Sequence, residues 1–229
     1  MRGRILCAAG LLSVAGCTQD PLARHSVYWG LSPFDPPTGP LVRVLDTSSD
    51  TPAKQGLLYT AMRDAEIAST YSGRAIARRD EPGETEEAIA EVVHAIAPAE
   101  VPPWDPGPWH DAGYGVVAGW ASHGYGLQRA LSAMAGEVAA ATERNPALLQ
   151  PYGPRALDCT ENTQDRAVRV LALGQQVLSG PRGNAPEATL AQIQEVAEAL
   201  NRGVPAPDTT GCGLEEVERQ LDEVEPGTG

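Results

Sequence analysis

Lysine is nearly missing from this chain: Lys54 is the single one among 17 basic residues, which face 30 Asp and Glu for a formal charge of -13 over 229 residues. Nucleic-acid binding without sequence preference needs phosphates neutralised by clustered Lys and Arg, and no such stripe occurs. Aromatic residues are also few, with four Trp, six Tyr and one Phe. A core must therefore come from Ala, Val, Leu and Ile, and small side chains fill space best between closely packed helices. Catalytic signatures are absent as well. No Gly-x-Ser-x-Gly elbow or Ser-x-x-Lys supports nucleophilic hydrolysis, and no Walker loop or Gly-x-Gly-x-x-Gly supports phosphate binding. No Cys-x-x-Cys occurs, which removes thioredoxin-like redox chemistry and c-type haem attachment. These absences weigh toward a non-enzyme, and an enzyme stays open only through a site assembled from distant residues.

What is present begins with an address. Arg2 and Arg4 precede an apolar run over residues 5–14 that is too short to span a bilayer. The run closes on Val14-Ala15-Gly16-Cys17, which resembles the lipobox of bacterial lipoprotein precursors. The resemblance covers only the first seventeen residues. It implies cleavage before Cys17, acylation of Cys17 by chains such as palmitate, and extracytoplasmic residence on a membrane. Thr18 in place of Asp after the Cys implies the outer membrane in a Gram-negative cell. An ordinary secreted protein cut nearby is the alternative. Cleavage would remove Arg2 and Arg4 and no acid, leaving 15 basic residues against 30 acids, a formal -15. Such a chain is held by its lipid and not by a basic face.

Residues 1–16 are thus expected to be a signal peptide and residues 17–50 a tether with an extended segment, marked by Pro21, Pro33, Pro36, Pro37 and Pro40. Leu41-Val42-Arg43-Val44-Leu45 is expected as a short strand or an apolar strap across helices. Residues 51–203 read as a helical bundle domain. Leu58, Ala61, Ala65, Ala68, Ser72 and Ala75 fall on one face of a helix over 52–79, and Ile89, Val92, Val93 and Ile96 on one over 84–97. Trp120, Leu127, Leu131, Met134 and Val138 make the seam of a long helix over 116–144, with a kink or a broken start near Gly124. Further helices are expected over 155–178 and 186–203. Residues 204–229 form a C-terminal helix and tail, with Leu214, Val217, Leu221 and Val224 on one face. The fold class is mostly α: an antiparallel helical bundle with Pro/Gly-rich connections and a disulfide-tethered C-terminal helix.

Cys7 would leave with the signal and Cys17 would carry lipid, so Cys159 and Cys212 remain. Two Cys in an exported chain point to a disulfide, with two buried thiols or a shared metal site as alternatives. Its expected role is to pin the last helix to the bundle.

Two polar patterns carry chemistry. Glu91-x-x-His94 has the spacing of helical di-iron carboxylate ligands, but no second such pair occurs; the plainer expectation is a surface His beside a solvated Glu. His110, Asp111 and His123, with His94 or another acid folded alongside, could hold a divalent ion such as zinc. No other cofactor is expected. Trp104, Trp109, Tyr114, Trp120 and Tyr125 offer an aromatic contact surface, although Trp104 and Trp109 could equally cap the bundle. Together these residues lead to a lipid-anchored binding or scaffold module of the cell envelope, with the membrane and an envelope protein as partners and no nucleic acid. The competing reading is a metal-binding protein or metal-dependent enzyme built on the His110/Asp111/His123 cluster. Glycan binding through stacked Trp is a weaker third, with no specific polar pattern behind it.

Overall fold

A computed structural model of the chain describes residues 41–100, 124–205 and 211–224. Eight α-helices and no strand occur among them. They are α1 (Val42–Leu45), α2 (Leu57–Ala77), α3 (Pro82–Ile96), α4 (Leu127–Arg144), α5 (Pro146–Leu149), α6 (Gly153–Ser179), α7 (Glu187–Arg202) and α8 (Leu214–Asp222).

The seam expected on α2 is its buried face: Ala61, Ala65, Ala68 and Ala75 have no exposed surface, and Leu58 and Ser72 almost none. Four buried alanines on one stripe let α3 and α7 approach α2 closely on either side. The turn at 78–81 returns α3 antiparallel to α2, and α7 also runs against α2, since Asn201 Nδ2 donates to the Met62 carbonyl at 3.2 Å. The bundle is completed by α6, a rod of about 40 Å at 1.5 Å per residue. Its C-terminal half meets α3 at Gly174, where an added Cβ would sit 2.6 Å from Val93 Cγ2. Its N-terminal half carries α8. Helix α4 lies across α2 and α6 through Leu127, Leu131, Met134 and Val138, all fully buried.

Leu41-Val42-Arg43-Val44-Leu45 is not a strand: its last four residues close one helical turn, and the segment lies as an apolar strap against α2 and α4. Leu41 and Val44 are buried against the bundle. The strap fits because Gly56 lacks a side chain: a Cβ there would lie 2.6 Å from the carbonyl oxygens of Val44 and Leu45. Arg43 adds ion pairs to Asp50, at 3.2 Å, and to Glu137 of α4.

Helix α2 starts at Leu57 rather than at residue 52, since Pro52–Lys54 is a separate 3-10 turn in which Ala53 and Lys54 have positive φ. The described part of α4 begins at Leu127, because Gly124 and Gly126 take φ of 71° and 88°, which no right-handed helix accommodates. The helix is thus interrupted at Gly124–Gly126. Residues 101–123, where the expected helix would begin, lie outside the described residues.

Cys159 and Cys212 are joined, with Cα atoms 5.2 Å apart. Cys159 sits in α6 and Cys212 two residues before α8, so the bond pins α8 to the bundle as expected. Leu214, Val217 and Leu221 complete the attachment from one face of α8, all fully buried. Arg166 donates to the Cys212 carbonyl at 2.5 Å, and Arg155 pairs with Glu216 at 2.9 Å.

Candidate functional site

Buried hydroxyls on these helices donate to backbone carbonyls, that of Thr85 to Arg78 at the end of α2. Thr60, Thr160 and Thr163 each donate to the carbonyl four residues back, at 3.0, 2.8 and 2.8 Å. A carboxylate has no proton to donate in this way, and so the buried acids stand apart. Asp64 on α2 has no exposed surface, and Glu91 and His94 on α3 are 4% and 9% exposed. Glu86, also buried, accepts from the Gly183 N–H at 3.1 Å and so closes the α6–α7 turn onto α3.

Asp64 is the exception among them, because neither Oδ1 nor Oδ2 completes a hydrogen bond. Burial pushes its carboxyl up to about 7, and the nearby Glu91 charge adds to the rise. The Gly126 N–H and the Arg63 charge act in the opposite direction and are outweighed. Gly126 is itself closely seated, since a Cβ there would meet Pro98 Cδ at 2.5 Å and the Ile96 carbonyl oxygen at 3.1 Å. The start of α4 therefore covers Asp64 at the point where α2 and α3 also meet.

Glu91 and His94 were expected at the surface and are instead interior. Almost every residue of α3 from Thr85 to Ile96 is buried, because α2 packs on one side of this helix and α6 on another. Burial lowers the affinity of the His94 imidazole for its proton. Glu91 and His94 are each engaged in a polar or electrostatic interaction. Among the described residues, no three His, Cys, Asp or Glu converge in a way that could hold a metal ion.

Of the aromatic surface, Tyr125 falls within the described residues, and it is 6% exposed. Its hydroxyl donates to Asp50 Oδ2 at 3.3 Å, and the Arg129 guanidinium covers its ring at 4.4 Å. Its contacts are internal: it fastens the segment before α2 to the start of α4. Asp50 in turn is held down to about 2, by the Ser48 hydroxyl first and also by its own backbone N–H and Arg43. Trp104, Trp109, Tyr114 and Trp120, the ligand candidates His110, Asp111 and His123, and the lipidation candidate Cys17 all lie outside the described residues.

Asp64 was not singled out by motif reasoning. A signal for it existed nonetheless, since it sits three residues after Ala61 and four before Ala68, which makes it the one charged residue on the alanine seam. No protein-family model, curated protein or solved structure matches the chain. Among the described residues, no helix is long and apolar enough to cross a membrane.

Proposed function

We propose that the chain is a lipid-anchored extracytoplasmic helical module that serves as a binding or scaffold component of the cell envelope. The observation that carries this reading is the Cys159–Cys212 disulfide. Such bonds persist in oxidising compartments and are rare where thiols are kept reduced. The bond therefore agrees independently with the address written in Val14-Ala15-Gly16-Cys17. The excess of acids supports attachment through acyl chains rather than through a basic surface. A contact surface built on Trp104, Trp109, Tyr114 and Trp120 would supply the binding function, with Tyr125 anchoring the adjoining start of α4 from within.

The test is fractionation of cells expressing the natural chain and Cys17→Ser, together with intact mass. The expected result is a membrane-associated protein with an acyl mass increment, converted by Cys17→Ser to an unacylated soluble form. Membrane association that persists in Cys17→Ser would overturn the anchor, and recovery of the wild type from the cytoplasm with free thiols would overturn the compartment. Alanine at both Trp104 and Trp109 is expected to abolish partner capture with the helical circular dichroism unchanged; loss of the fold would place both rings in the core.

A further inference from the structure

Asp64 lies where three elements meet: α2, which carries it, α3, which brings Glu91 close, and the start of α4, which covers it through Gly126. Its carboxyl has no exposed surface and neither oxygen completes a hydrogen bond, although the Gly126 N–H is near enough to act on it. A carboxylate in this setting loses its hydration and receives little in return, so the charged form is at a disadvantage in the closed structure. Two routes relieve that disadvantage. The carboxyl keeps a proton, or the cover moves and water enters.

The cover has the features of a movable piece. Gly124 and Gly126 both hold positive φ immediately before Leu127, so the entry to α4 turns on two residues that cross conformational space at little cost. Among the described residues, an added Cβ at Gly124 would meet nothing within 4 Å. Opening this corner releases buried Tyr125 and Leu127 and the Tyr125–Asp50 hydrogen bond, whereas exposing Asp64 by moving α2 from α3 would separate a whole seam that includes fully buried Ala61, Ala65, Val92 and Ala95. The corner at Gly124–Leu127 is therefore the smaller element through which Asp64 can regain solvent.

We propose that Asp64 is a proton switch on the docking of α4: with its proton it holds the Gly124–Leu127 corner closed over α2 and α3, and on losing the proton it opens that corner to water.

The charged groups acting on Asp64 account for the direction. Arg63, its neighbour on α2, favours the carboxylate, and Glu91 on α3 opposes it. From α4 comes only the Gly126 N–H. Among the described residues, no charged group of α1, α6, α7 or α8 acts on it. His94, three residues beyond Glu91, shifts in the other direction, because burial favours its neutral form; its titration makes the closed state firmer, not weaker, as pH rises. Asp64 is thus the group that weakens the closed state as pH rises toward neutrality. The opening equilibrium should grow by up to about tenfold per pH unit between the open-state carboxyl value near 4 and the closed-state value, and then level off.

Amide hydrogen exchange of the full disulfide-bonded chain tests this, followed from pH 4.5 to 8.5 with rates corrected for the intrinsic pH dependence of exchange. The expected result is that amides at the start of α4, including the Ala130 N–H that bonds the Gly126 carbonyl, are less protected than those of α7. Their protection should fall by up to tenfold per unit between about pH 4 and 7, and Asp64→Asn should abolish the fall. A flat profile in the wild type, or an undiminished fall in Asp64→Asn, overturns the proposal. So does protection equal to that of α7 throughout, which would mean that the amides open only by unfolding of the whole molecule. If Asp64→Asn does not fold, the 13C shift of the wild-type Asp64 carboxyl is followed beside the exchange: an inflection near neutrality together with the fall in protection at the start of α4 upholds the switch, and an inflection in the ordinary Asp range, or one without that fall, overturns it.

Discussion

Replacing both Cys159 and Cys212 by Ala removes the covalent tie between α6 and α8 and gives a measurable loss. The bond closes a loop of 53 residues, and the loop-entropy relation gives about 4 kcal/mol at 25 °C for that length. Most of this acts through the unfolded chain, which becomes free to expand. Within the folded state, α8 keeps the apolar attachment of Leu214, Val217 and Leu221, each worth about 1.5–3 kcal/mol when buried. A nine-residue helix has no stability of its own in water, so it should stay docked but detach more readily. Urea unfolding followed by circular dichroism at 222 nm should therefore show a stability loss of about 4 kcal/mol in the double variant. The denaturant slope should steepen, because the uncrosslinked chain exposes more surface on unfolding. A loss below about 1 kcal/mol with an unchanged slope would refute the reasoning, since it would mean that the unfolded chain is hardly constrained by the bond.

Gly56→Ala should displace the strap, because its Cβ would sit 2.6 Å from two backbone oxygens that cannot rotate away; a destabilisation of about 1–3 kcal/mol is expected in the same unfolding assay. Met134→Ala removes a fully buried side chain from the α4 seam and should cost about 2–5 kcal/mol, read as a lowered urea midpoint with unchanged slope. The pH dependence has a defined sign. The folded-state value of Asp64 is raised, to about 7, so the folded protein holds this proton more tightly than the unfolded one. Its contribution is most favourable below about pH 4 and is lost as pH climbs to about 7, by up to about 4 kcal/mol, less whatever opening at α4 relieves. Urea titrations of wild type and Asp64→Asn at several pH values check this, and identical pH profiles would count against it.

The helices were legible wherever apolar residues recur at helical spacing over several turns, as along Ala61–Ala75 and Leu127–Val138, because burial follows such a stripe directly. Boundaries were legible only in part. Pro52 marks a helix start in most contexts, yet here Ala53 and Lys54 turn the chain before Leu57. The disulfide was legible by elimination among four cysteines. Glu91 and His94 were misplaced at the surface because α3 is covered on more than one side. A moment along a single helix cannot register that when the second cover is a helix some eighty residues further on. The same limitation hid Asp64 as a site: its position on the seam was readable, but the lack of any hydrogen-bond partner depends on how α4 crosses it.

The alanine seam between α2 and its neighbours has a practical consequence. Where Ala61, Ala65 and Ala68 face the bundle, the distance between helices is set by the smallest side chain that can maintain a helix. Scanning by truncation would leave these positions untouched and report them as unimportant. Their contribution emerges only on enlargement, when a single Ala→Val forces two backbones apart and strains every contact along both rods. A closely packed part of the molecule is therefore one that a deletion survey would not detect.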